Sequence, residues 1–305
     1  NYVTLINKKK WIKLMQIIIN LIIFLITLFL YIHINFHLKT NNDLEIFDVD
    51  EITKDQLEEI CDYKQPMLFK FYVEEIYNNL TLDNIIKNYK TFDVNIRNLS
   101  EYTNLDSNIV PITLRDADEL FMKDVSATYI SEYNKDFIQE TTLLRYIEAN
   151  DLFLRPHLCS ECQYDIIFGS VNSYTPLRYE LNARNYLYVV DGGIELMLTV
   201  PNNYKHLDVI RDYDIFEFRS KLNPFRDEDK EKLERVKFLT VTLKPGDIVF
   251  IPYKWFYTFK ILESKTIVCS HKYKVAMNTL AIVPDLFYKF LYDQNIKFNF
   301  LNTIS

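Results

Sequence analysis

The chain has 305 residues, enough for one full hydrophobic core or two small ones. Its formal charge of −7 leaves no basic footprint, which argues against nucleic acid as a partner. Only four glycines occur, all between Gly169 and Gly246, where average usage would give roughly twenty.

Residues 1–13 form a basic tail containing Lys8, Lys9, Lys10 and Lys13. Residues 14–36 follow, and from Leu14 to Ile32 they carry no charge. With its flanks the stretch has the roughly 20 residues that a helix needs to cross the hydrocarbon of a bilayer. Trp11 and Tyr31 sit near its ends, where interfacial aromatics are favoured. A cleaved signal peptide fits less well, because the apolar run is too long and no small-residue cleavage site follows. The lysines ahead of the span, against Lys39 alone just behind it, predict a single-pass topology with a cytoplasmic N-terminus. The bulk of the chain would then lie across the membrane. Two sequons, Asn79-Leu80-Thr81 and Asn98-Leu99-Ser100, are compatible with that side.

Residues 37–47 read as a linker centred on Thr40-Asn41-Asn42-Asp43. Residues 48–150 alternate helix and strand signals. Thr53 with Gln56 three residues on resembles a capping box opening a helix to Cys61. Pro66–Tyr72 and Phe92–Ile96 read as strands. Thr81–Tyr89, Leu114–Phe121 and Glu140–Glu148 read as helices. This α/β lead-in is expected to pack onto the rest.

Residues 151–305 turn to short strands. Tyr164–Gly169, Arg184–Val190, Gly193–Val200, Val236–Leu243, Asp247–Ile251, Phe256–Leu262 and Thr266–Tyr273 are strand-like. Such spacing indicates a sandwich or barrel. Met277–Tyr292, interrupted at Pro284, is expected to be helical. Asp227–Arg235 reads as a solvated charge run. Cys159-Ser160-Glu161-Cys162 is a single CxxC; structural thiols come first, a disulfide next and zinc last, since zinc would need Cys61 or Cys269 alongside.

Two segments carry the sharpest signal. Thr175-Pro176-Leu177-Arg178-Tyr179-Glu180 is followed by Lys244-Pro245-Gly246-Asp247-Ile248-Val249-Phe250-Ile251-Pro252 and Trp255-Phe256-Tyr257. Together they resemble the two halves of the metal site in the JmjC and cupin-like 8 proteins, which read roughly T-P-L-H-x-D and G-D-x-x-x-I-P-x-x-W-x-H. The resemblance implies a mainly β fold: a double-stranded β-helix of the cupin or jelly-roll type with the α/β lead-in, placed behind the one N-terminal transmembrane helix that the apolar run predicts. It also implies that Arg178, Glu180 and Tyr257 stand where the family has its two His and one carboxylate for Fe(II). An Arg has no lone pair to offer a metal. Thr175, Asn185 and Ile194 fall where the family holds 2-oxoglutarate, Ile194 at the usual Lys. Arg184 is a further candidate if the alignment slips by one residue.

Arg178 and Glu180, two apart on one strand, are expected to point inward and to bond one another, with Tyr257 on the facing strand. All five histidines lie outside the two matched segments. The expectation is therefore a pseudoenzyme with no cofactor and no metal, serving a structural or interaction role. The Asn-, Ile-, Lys- and Tyr-rich composition fits an AT-rich genome. Cupin-like chains of large DNA viruses are similar, which implies a minor capsid- or membrane-associated component of a virion. Expected partners are a lipid membrane, capsid or membrane proteins and further copies of the chain. The competing readings are an Fe(II)/2-oxoglutarate oxygenase with an altered metal site and a glycan- or peptide-binding jelly-roll module.

Overall fold

The computed structural model describes residues 2–101, 103 and 109–304, with side chains for residues 10–296 of that set. It opens with helix α1 (Tyr2–Leu38). Within it Lys10–Leu38 is long and apolar enough to cross a membrane, with a mean hydropathy of 2.7 and no residue of the window buried. Most of its described side chains are exposed, as those of a membrane span would be.

The lead-in comprises β1 (Phe47–Val49), α2 (Lys54–Asp62), β2 (Met67–Lys70), α3 (Glu74–Asn79), α4 (Leu82–Tyr89), β3 (Asp93–Asn98), β4 (Ile109–Thr113), α5 (Leu114–Lys123), β5 (Tyr129–Ser131), α6 (Lys135–Glu140) and α7 (Leu143–Ile147). The Thr53–Gln56 capping box starts α2, each side chain bonding the other's backbone N–H. Of the predicted helix Glu140–Glu148 only α7 forms; Glu140 ends the unpredicted α6, because Thr141 turns extended and its hydroxyl donates back to the Phe137 carbonyl. Strands β4 and β5 escaped the sequence pattern. Both are short, and β4 contains Pro111 on an exposed edge, where a missing N–H is tolerated.

The rest supplies β6 (Cys159–Gly169), β7 (Arg178–Tyr179), β8 (Arg184–Asp191), β9 (Ile194–Thr199), β10 (Val209–Asp212), β11 (Glu217–Ser220), β12 (Leu239–Leu243), β13 (Asp247–Ile251), β14 (Phe256–Ile261) and β15 (Ile267–Val275). Two helices close the chain, α8 (Ala276–Ala281) and α9 (Val283–Ile304). Pro284 does not break the last helix; it occupies the first turn of α9, where its missing N–H has no intrahelical partner to lose.

The strands form two sheets. The larger runs β1-β2-β13-β8-β15-β6-β5-β3-β4 and the smaller β10-β11-β7-β14-β9-β12. Between them lies one apolar core, with Leu187, Val189, Val249 and Val268 of the larger sheet meeting Leu196, Leu198, Phe259 and Ile261 of the smaller. The other face of the larger sheet is covered by the lead-in helices through a second core that includes Leu57, Ile76, Ile85, Tyr186, Tyr188 and Phe250. Both faces of β8 and β13 are thus dry, which explains their unbroken burial. The molecule is helix layer, sheet, sheet. Gly246 sits at φ +92°, and a Cβ there would meet the Tyr77 hydroxyl at 2.6 Å, so the turn into β13 requires glycine.

Candidate functional site

In β7 and β14 alternate side chains take opposite faces. Tyr179 and Phe256 point outward into a third apolar cluster, while Arg178 and Tyr257 point between the sheets. Arg178 is the direct cross-strand partner of Tyr257 on one side and of Arg219 on the other. Two arginines side by side on an inner face would repel, and the surroundings supply the compensation.

Arg178 Nη1 lies 2.6 Å from Glu132 and 2.9 Å from Glu217. Arg97 Nε lies 2.7 Å from Glu132, and its Nη2 lies 3.0 Å from Glu217. Arg219 Nη1 bonds Glu217 at 3.0 Å and Asp212 at 2.8 Å. Three guanidinium groups and three carboxylates thus balance one another, and none is more than 6% exposed. The Tyr133 ring adds its face to Arg97 at 5.5 Å and to Arg178 at 5.8 Å. Burial alone would raise the Glu217 carboxyl, but Arg97, Arg178 and Arg219 overrule it and hold the group well below the usual carboxylate range.

Asp165 of β6 sets the turn that delivers Glu132 and Tyr133. Its two oxygens each accept a backbone N–H at 2.8 Å, from Tyr133 and from Asn134. Tyr133 takes φ +64° there. Burial pushes Asp165 up to about 6, against those two N–H groups, which favour the charged form.

Glu180 is elsewhere. The expected Arg178–Glu180 bond is absent from the structure; Glu180 accepts instead from Lys272 Nζ at 2.6 Å and from the Tyr257 hydroxyl at 3.0 Å. Tyr257 is pushed up to about 12, by burial first and by the Glu180 charge second. It is therefore a phenol at neutral pH, donating to Glu180 while accepting from Arg178 Nε at 3.3 Å. A cavity of about 300 Å3 opens beside this second group, bordered by Tyr133, Asp165, Glu180, Glu217 and Lys272.

The three positions matched to the cosubstrate do not converge. Thr175 Oγ1 accepts the Phe259 N–H at 3.0 Å. Asn185 donates to the Ile251 carbonyl at 3.2 Å and accepts from Asn182 at 3.1 Å. Ile194 is fully buried between Ile261 and Leu243. None of the three borders the cavity. Arg184 turns to the helix side, where it pairs with Glu58 of α2. Cys159 and Cys162 Sγ atoms lie 3.6 Å apart as free thiols; Cys61 and Cys269 are buried elsewhere. Among the described residues no three His, Cys, Asp or Glu side chains gather as a metal-binding group.

Arg97, Glu132, Glu217 and Arg219 were missed from the sequence. Only one signal pointed to them. In Phe216-Glu217-Phe218-Arg219 charges and aromatics alternate, and alternation reads as a strand with its charges in water. Here the charges face in and Phe218 faces the outer cluster.

The fold and site define a two-sheet β-helix barrel, its larger sheet backed by helices, with a balanced ionic cluster where its inner faces meet. The cupin-like domain family matches residues 87–279, and the chain belongs to that family, which is JmjC-related and includes oxygenases. Among curated proteins none matches the chain. The residues here do not fit an Fe(II) site: Arg178 can only donate, and Glu180, the one carboxylate at the matching positions, is engaged by Lys272 and Tyr257.

Proposed function

We propose that the chain is a membrane-anchored cupin-like protein without catalytic activity, serving a structural or interaction role. One observation carries this reading: the Arg178 guanidinium stands at the first ligand position and is held there by Glu132 and Glu217. A guanidinium at that point has no lone pair to give a metal ion and occupies the ligand's place. The apolar helix Lys10–Leu38 supports the anchor, and the lysines before it support a cytoplasmic N-terminus. The narrower reading is a minor virion component between inner membrane and shell, with membrane or capsid proteins and further copies of itself as partners. It rests on composition and on the likeness to viral cupin-like chains.

The test is elemental analysis of the purified full chain together with 2-oxoglutarate turnover. The expected result is no stoichiometric iron and no succinate formed. Tight Fe(II) binding that is lost in Glu180→Gln would sink the reading and restore an oxygenase. The cavity beside Glu180 and Lys272 favours one second reading, a peptide- or glycan-binding module. A peptide and glycan screen, with Lys272→Ala as control, addresses it.

A further inference from the structure

A second cavity, of about 370 Å3, lies where α1 meets the body. Leu38 and Thr40 form one side; Tyr204, Arg211, Lys254 and Phe256 form the other. The segment behind α1 is fastened to the body. Asn41 donates to the Tyr63 carbonyl at 3.3 Å, and the Asn202 N–H donates to Asn42 at 3.0 Å. With α1 read as a membrane span, the cavity sits at the level where the helix leaves the hydrocarbon and meets the headgroups.

Two cations border it, each beside an aromatic ring. Arg211 Nε donates to the Tyr204 hydroxyl at 3.2 Å, with its guanidinium over that ring at 5.8 Å. The Lys254 ammonium lies 5.2 Å from the Tyr253 ring centre. The acid that acts on Lys254 is Asp285, which also accepts from the Tyr213 hydroxyl at 3.4 Å. Burial pulls Lys254 below the ordinary lysine range, so an added anion would be welcome. Lys254 also holds φ +61°, a backbone region that disfavours any residue with a Cβ. Cations, a Tyr and a Thr hydroxyl beside an apolar wall suit a phosphate ester that carries an acyl tail.

We propose that this cavity takes the phosphate headgroup of an anionic lipid from the leaflet at the C-terminal end of α1, the one on the body's side of the membrane. The proposal rests on α1 being a membrane span, which alkaline carbonate extraction checks separately. For the lipid itself, the full chain in neutral detergent is given equal amounts of phosphatidic acid and phosphatidylcholine with the same acyl chains. It is then repurified, and native mass spectrometry counts the lipid retained. Phosphatidic acid should be retained about tenfold or more over phosphatidylcholine, given two cations near a headgroup. R211Q/K254Q should lose the preference, and R211K/K254R should keep it. Equal retention of both lipids by the wild-type chain overturns the proposal, and that reading needs no variant to fold. A preference that survives in R211Q/K254Q overturns it as well. Inorganic phosphate that displaces the lipid while binding as tightly would mark a site for soluble phosphate and overturn the lipid assignment.

Discussion

Arg178 was legible as a departure from a metal ligand, but its partners were not. The i, i+2 rule that pairs Arg178 with Glu180 holds only while the strand continues. β7 ends at Tyr179, so Glu180 leaves the strand geometry and turns to Lys272. The guanidinium meanwhile reaches carboxylates 46 and 39 positions away in the chain. Removing it takes one of three guanidinium groups from the cluster and leaves its carboxylates in excess in a dry interior, so Arg178→Met should cost roughly 3–5 kcal/mol, the usual scale for breaking a buried pair. Glu180→Gln should cost less than half of that, because Glu180 and Lys272 keep some contact with water. Thermal unfolding of the full chain in detergent compares them, and equal losses would mean that the ionic cluster is not the stronger element. Glu217 adds a pH signature. Its folded value is depressed, so its contribution is complete above the ordinary glutamate range, near pH 4–5, and fades as pH falls below it. Between pH 5 and 3 the unfolding midpoint should drop, and Glu217→Gln, weaker throughout, should show a shallower drop.

Elements with one strong physical driver were read correctly. α2 had its capping box and α1 its long apolar run, and β8 and β13 had the apolar runs Tyr186–Val190 and Ile248–Ile251. The elements missed are short, and their burial is decided by distant partners. β5 has three residues, and β10 and β11 have four each; β11 is half charged yet wholly buried. No local window can show that a charge will meet its counter-charge 120 positions away, as Arg97 meets Glu217. For α1 the proposed anchor gives a direct expectation. The full chain should stay in the pellet after alkaline carbonate, and a chain lacking residues 1–40 should move to the supernatant. The cut must fall there, because Leu44 and Ile46 pack against the intersheet core. A full chain released by carbonate would remove the anchor.

At the scale of the whole molecule, the family and its two-sheet architecture were legible because two motifs fix the positions of β7, β13 and β14 relative to one another. How the lead-in attaches was not, since strand order depends on pairings that no spacing encodes. The lead-in does not sit on one side. It contributes β1 and β2 at one border of the larger sheet, against β13, and β5, β3 and β4 at the other, against β6. This arrangement bears on solubility. An isolated barrel would present two rows of unpaired N–H and C=O groups, one along each border, and open borders recruit strands from other copies. Residues 151–305 made alone should therefore form large assemblies by light scattering, whatever their intrinsic stability. Supplying residues 41–150 as a separate chain should suppress them. The first half of the globular part would then be the hem that keeps the second from unravelling into its neighbours.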